Sequence, residues 1–342
     1  MRRVLGWAVV CVAPLAAATP PLVGDAVCAQ CHRAEATRYS TTPMARALTS
    51  VAQCGILKDH MDLRFREGVY QSSIRREGEG SVLSVTDGRQ TLVAPLLWAF
   101  GNGKAGQTYV FEYAGALYES RASFFKSVGG LDVTMGAAGS TPNSILAAAG
   151  RQMDPAAARD CFGCHATGAV SAGRLHLENL APGVGCEACH GAGERHAAAV
   201  RSGDVANARL ASLGKMTAEE MNELCGRCHR TWAEISLNGP RGVNNVRFQP
   251  YRLTNSKCYD PGDARIRCTA CHDPHGPLEA KAGAYDRRCT ACHSAAARTK
   301  TCRVAKAGCV GCHMPKAELP GSHAVFTDHQ IRVVRAGEGY PN

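Results

Sequence analysis

The sequence predicts a mostly α and irregular chain with little ordinary core and a small antiparallel β module inserted near its N-terminal end. Three observations carry this. The pattern Cys-x-x-Cys-His recurs seven times. Outside it, the 342 residues are poor in aromatics, at 6%, and hold 36 glycines, too little bulk and too much flexibility for a conventional interior. One stretch that lacks the pattern changes to alternating hydrophobicity.

The copies are Cys28/Cys31/His32, Cys161/Cys164/His165, Cys186/Cys189/His190, Cys225/Cys228/His229, Cys268/Cys271/His272, Cys289/Cys292/His293 and Cys309/Cys312/His313, numbered here motifs 1 to 7. A shuffled chain of the same composition would hold roughly 0.04 copies. Two thiols three residues apart on one turn can bond to the edge of a single haem, and the adjacent histidine then ligates its iron. Each motif therefore reads as one covalently held c-type haem with a proximal ligand at His32, His165, His190, His229, His272, His293 or His313. Structural zinc fits poorly, because it wants four ligands and the Cys pairs are odd in number. A thioredoxin-like redox pair occurs once and needs no following histidine.

Haems also explain the thin core. Each is a large apolar plate tied to the chain, so the polypeptide after residue 150 is expected to be haem-wrapping, with the plates as its interior. The formal charge of +10 would otherwise suggest an anionic partner. Two propionates on each of seven haems bring the loaded protein to about −4. No basic run with interleaved aromatics is present, and nucleic acid is not expected as a partner.

Four segments follow. Residues 1–18 have Arg2 and Arg3, an apolar run and small residues near Ala18, the pattern of a cleaved signal peptide. Cys11 falls inside this leader, and bulky Val10 before it argues against a lipid anchor. Periplasmic or extracellular location is expected, with no transmembrane segment in the mature chain. Residues 19–60 carry one haem. Residues 61–150 form the haem-free β module: Met61, Leu63 and Phe65 alternate with Asp62, Arg64 and Arg66, and turns are marked at Asp87-Gly88 and Ala114-Gly115. The run 101–108, "GNGKAGQT", lacks the Gly-Lys-Ser/Thr ending of a phosphate loop and reads as a glycine turn. Residues 151–342 form a hexahaem array with short helices and few strands, among them a helix opened by the capping box Thr217/Glu220.

Low-spin haems need a second axial ligand. Six histidines remain for seven irons: His60, His176, His196, His275, His323 and His329, with Met44 as a seventh candidate. His275, three residues past His272, is expected to serve a neighbouring haem. If Met44 or His176 fails, one iron is left five-coordinate. Of the remaining mature cysteines, Cys258 and Cys302 are expected to pair as a disulfide, leaving Cys54 free, with thiolate ligation of iron as the alternative.

The runs "CAQCHRAEATRYSTTPMARA", "PGVGCEACHGAGERH", "RFQPYRLTNSKC", "CTACHDPHG" and "GCVGCHMPKAELPGSHAVFTDHQI" resemble the secreted bacterial multihaem cytochromes c, the group that includes the tetrahaem cytochromes of ammonia oxidisers and the multihaem nitrite reductases. The resemblance spans roughly residues 25–335. It implies distal-ligand roles for His196, His275 and His329. Met44 stands where relatives often carry a histidine, and the reductases' Cys-x-x-Cys-Lys motif is absent, which weakens a catalytic reading.

An electron carrier serving redox partner proteins is therefore the leading expectation. A reductase of a small nitrogen or sulfur oxyanion at a five-coordinate haem is one alternative, and a subunit of an extracellular cytochrome filament is another. The first consequence is a mass: the secreted product should be coloured and heavier than its peptide by seven haems. Intact mass spectrometry with a haem assay checks the number.

Overall fold

The computed structural model describes residues 22–281, 283–294 and 302–341, so the expected leader lies outside the described residues. Its dominant element is a nine-stranded antiparallel sheet, built from β1 (Leu48–Ser50), β2 (Asp62–Glu67), β3 (Tyr70–Glu77), β4 (Gly80–Thr86), β5 (Thr91–Phe100), β6 (Gln107–Tyr113), β7 (Ala116–Phe125), β8 (Gly130–Val133) and β9 (Gly150–Gln152). Strands β2 to β8 pair in chain order, a meander whose short connections make each strand the neighbour of the next. β1 adds to β5 and β9 to β7.

Local chemistry accounts for these strands. Ser81, Leu83 and Val85 on β4 and Leu92, Ala94 and Leu96 on β5 are buried in strict alternation. At the β6–β7 turn both Ala114 (φ 49°) and Gly115 (φ 77°) are left-handed, as a two-residue hairpin of matching twist requires. Asp87 and Gly88 lie between β4 and β5, where the Asp87 carboxylate accepts from the amides of Arg89 and Gln90 at 2.8 Å. Residues 101–106 turn β5 into β6, and at Gly101 (φ +87°) a Cβ would sit 2.7 Å from the Gly106 carbonyl.

The sheet buries both faces. One face encloses Leu57, Ile74, Leu83, Val85, Tyr109 and Phe111, plugged by Ala148 and Ala149 from the helix Ile145–Ala149. The other packs Leu48, Phe100 and Val110 against Phe162 of the helix Pro155–His165, with the Phe100 and Phe162 rings edge-to-face at 4.9 Å. β2 curls round to meet β8, and Glu67 takes the buried Arg121 guanidinium in a bidentate ion pair at 2.6 Å.

Beyond the sheet the chain is short helices and loops. The helix Pro155–His165 starts on Asp154, whose carboxylate accepts from Ala156 and Ala157 at 2.8 Å, with proline at the first position. The helix Ala218–His229 opens on the reciprocal Thr217/Glu220 box, and a second box at Thr231/Glu234 opens Trp232–Asn238.

The expectation of a mostly α chain is corrected. Helices in the motif region are one to three turns long, and the sheet is the largest element among the described residues. It also reaches past 61–150, since β1 and β9 are recruited from either side. No helix among the described residues is long and apolar enough to cross a membrane. Phe111, fully buried at the sheet's centre, gives a direct test: Phe111→Ala should cost about 3–5 kcal/mol in chemical denaturation.

Candidate haem-binding array

Every described motif lies on a single turn of helix or at the end of a longer one. In motifs 1, 5 and 6 the histidine amide donates to the carbonyl of the first cysteine, His32 to Cys28 at 2.9 Å, His272 to Cys268 at 2.9 Å and His293 to Cys289 at 2.8 Å. That closes one α-turn, which brings the thiols at i and i+3 to the same side.

The motif helices touch one another. The Cys28 and Cys186 thiols lie close enough to influence each other's ionisation, as do Cys164 and Cys228, Cys225 and Cys268, and Cys289 and Cys309. Arg227 of motif 4 donates to the Ala188 carbonyl inside motif 3 at 3.4 Å. Cys271 and Cys289 lie within electrostatic reach of each other. In space the motifs run 1–3–4–5–6–7, with motif 2 attached to motif 4.

The sequence pattern makes the fourteen motif cysteines equivalent, and their surroundings in the structure differ. Among the second cysteines, Cys189, Cys228 and Cys271 of the inner motifs each lie within reach of a thiol from another motif, Cys225, Cys164 and Cys289 respectively. Cys31 and Cys312 belong to motifs 1 and 7, the two ends of the array, and are exposed. Cys292 of motif 6 is half-buried and lies within electrostatic reach of Cys258 and Arg265, which belong to no motif. The expected role of all three as haem thiols rests on the motif spacing.

Carboxylates fasten the neighbouring motifs. Asp25 accepts the Cys186 amide at 2.8 Å, linking motifs 1 and 3. Glu187, buried between the two cysteines of motif 3, accepts from Val23 at 3.1 Å, Gly24 at 2.9 Å and Gly193 at 2.8 Å. Asp286 accepts from Gly308 at 2.7 Å and Cys309 at 2.9 Å, tying motif 6 to motif 7. At Gly183 (φ +83°) the chain passes so close to the first segment that a Cβ would lie 2.2 Å from the Ala45 carbonyl. The next residue, Val184, donates to the Met44 carbonyl at 3.0 Å.

Three of the candidate second ligands face motif histidines. His196 lies opposite His32 with ring centroids 6.2 Å apart. His275 lies opposite His190 at 6.0 Å, with the ring planes within 8° of parallel. His329 lies opposite His272 at 6.1 Å. Two imidazoles bonded at about 2 Å to opposite sides of one metal have centroids about 6 Å apart, so these spacings fit an iron between each pair.

Ring orientation agrees. The Nδ1–H of His165 donates to the Ala47 carbonyl at 2.9 Å, His229 to Gln249 at 3.1 Å, His313 to the Arg332 carbonyl at 2.8 Å and His329 to the Thr327 carbonyl at 2.9 Å, while His196 donates to Ala208. Nε2 is then the nitrogen left to ligate. Burial holds the His165, His229 and His272 imidazoles below their usual range, and takes His329 down to about 4. A neutral imidazole is the form that binds a metal.

Other candidates point elsewhere. His60 packs against Phe124 at 4.8 Å on the sheet. His176 is bonded to Glu178 at 3.1 Å. His323 spends Nε2 on Asp132 of β8 at 2.7 Å, its ring against Phe125 and its carbonyl accepting from Ser127 at 2.9 Å. Met44 is half-buried where 44–47 and 184 meet. Cys258 and Cys302 are separate exposed thiols, so the expected disulfide between them is corrected; Cys302 instead accepts from Ala305 at 3.4 Å. Cys54 is a fully buried thiol donating to Gln107 at 3.0 Å, and burial raises its pKa.

Sequence reasoning missed the Nδ1 acceptors and the fastening carboxylates. Backbone acceptors leave no sequence signal. Glu187 had one, a carboxylate placed inside a motif.

Comparison with known proteins bears on this arrangement. A family model described as "Cytochrome c554 and c-prime" matches residues 138–191, which hold motifs 2 and 3. A solved structure, that of the outer cell wall cytochrome OcwA, superposes with a TM-score of 0.51 at 15% identity, covering 92% of this chain and 80% of that one. The chain shares the fold of that cytochrome. No curated protein sequence matches the chain.

Glu187→Ala tests the fastening. Removing an acceptor of three amide bonds should cost on the order of 3 kcal/mol locally. Hydrogen exchange at Val23, Gly24 and Gly193 should accelerate, with exchange in the β module unchanged.

Proposed function

We propose that the chain is a secreted electron carrier with seven c-type haems arranged as one contact-linked array, acting outside the cytoplasm between redox partner proteins. The observation that carries this reading is the closeness of successive motif turns from motif 1 to motif 7, each within contact or electrostatic reach of the next. Haems attached there supply one-electron chemistry at iron, with potentials set by axial ligand, burial and nearby charge. The similar solved structure is that of an outer cell wall cytochrome, which supports a location at the cell exterior.

In this reading the distal ligands are His196 to the iron of motif 1, His275 to that of motif 3 and His329 to that of motif 5, on the strength of the three ring separations. The protein orients the His196 and His329 rings through the Ala208 and Thr327 carbonyls, and burial keeps His329 neutral. A second reading has one specific observation in its favour. His60, His176 and His323 are engaged by Phe124, Glu178 and Asp132, which leaves fewer imidazoles than irons and permits a five-coordinate site for a small oxyanion.

Electron paramagnetic resonance of the oxidised protein separates these readings. Ala substitutions at His196, His275 and His329 should each convert one haem equivalent to high spin, and those at His60, His176 and His323 should convert none. A native high-spin haem that binds nitrite, sulfite or cyanide and turns it over would replace the carrier reading with the reductase one. Spectra unchanged by His196→Ala would remove that ligand from the scheme.

A further inference from the structure

We infer that the buried ion pair Arg252–Asp328 is a positioning device for His329, holding that imidazole on the iron of motif 5; this rests on the ligand assignment proposed above. Both side chains are fully buried, the only ion pair among the described residues in which neither partner is exposed at all. The guanidinium meets the carboxylate with both forks, Nε to Oδ1 at 2.9 Å and Nη2 to Oδ2 at 3.0 Å. Nη1 donates to Asn245 at 3.1 Å and to the Pro341 carbonyl at 2.8 Å, and the Tyr340 ring lies over the guanidinium at 4.6 Å.

Taking two charges out of water is expensive, and an apolar pair of the same volume is often as stable or more so. What the ion pair adds is direction: a bidentate fork fixes the carboxylate in plane and distance. Here that carboxylate belongs to the residue immediately before His329.

The same segment also holds the chain after the ligand. Ser256, one turn beyond Arg252, donates to the His329 carbonyl at 3.1 Å and accepts from the Ile331 amide at 2.8 Å. On the far side the Asp328 amide donates to the Pro315 carbonyl at 2.9 Å. His329 thus hangs between two anchors from residues 252–256, and its ring is turned by Thr327. Gln249, at the start of the same helix, orients His229 of motif 4. The comparable support for His275 is weaker: Asp273, which accepts the His275 amide at 2.9 Å, pairs with Arg38 in the open, where solvent screens the charge.

The test compares three variants of the haem-loaded protein with His329→Ala. Asp328→Asn keeps the shape and weakens the fork. Arg252→Lys keeps the charge and loses the bidentate geometry. Arg252→Met with Asp328→Leu keeps a packed interior without direction. Each should retain its haem content yet convert up to one haem equivalent to a high-spin form that binds carbon monoxide when reduced and returns to low spin with added imidazole, with Arg252→Lys the least affected. If His329→Ala leaves the spectra unchanged, the ligand assignment fails. If His329→Ala opens one haem while the folded ion-pair variants remain wholly low-spin and indifferent to carbon monoxide, the positioning inference is overturned and the assignment stands.

Discussion

Two sulfurs and an imidazole must meet one rigid ring from a single turn of backbone, and the architecture of this chain follows from that demand. Spacing the cysteines at i and i+3 commits the inner face of the turn to the ring edge, and the following histidine closes that turn beside the metal. A turn used this way has little face left for ordinary packing. The helices Cys268–Cys271, Asp286–Thr290 and Cys309–His313 bury none of their residues against protein. Side-chain packing is displaced into the sheet, where Ile74, Leu83, Val85, Tyr109 and Phe111 form an interior of the usual kind. The two regimes meet at the helix Pro155–His165. Its Phe162 belongs to the sheet's outer core, and its last residue is the histidine of motif 2.

In the motif region, directed polar bonds over short distances join the turns. Asp25, Glu187 and Asp286 each accept amides from a segment carrying a different motif. A charged acceptor makes such bonds stronger than neutral ones, and three amides around one carboxylate define a position as well as a distance. The C-terminal hairpin joins the sheet in the same manner, through His323 to Asp132 and Ser127 to the His323 carbonyl. These bonds explain why His323 is unavailable elsewhere.

What was legible in the sequence was local. The seven motifs, the turns at Asp87-Gly88 and Ala114-Gly115 and the capping box at Thr217/Glu220 depend on residues within a few positions of one another, and their chemistry is readable at that range. The sheet's full extent was not, because β1 and β9 are three residues each and exist only through their pairing with β5 and β7. The meeting of imidazoles is a long-range matter. His196, His275 and His329 stood out by resemblance, but which motif each would face depends on the spatial order 1–3–4, where chain order misleads. His60 was equally plausible in sequence, and contact with Phe124 on the sheet decided its place. The disulfide between Cys258 and Cys302 rested on leftover cysteines in an oxidising compartment, a compositional reason that carries no information about distance.

Motif 4 touches three others: motif 3 through Arg227 and Ala188, motif 2 through Cys228 and Cys164, and motif 5 through Cys225 and Cys268. In the language of graphs it is the vertex of highest degree, yet the layout is no tree. His275, three residues beyond motif 5, faces His190 of motif 3, and the Gly185 amide before motif 3 donates to Thr167 just after motif 2 at 2.7 Å. Such closed circuits share mechanical load, so the loss of one edge does not by itself part the assembly.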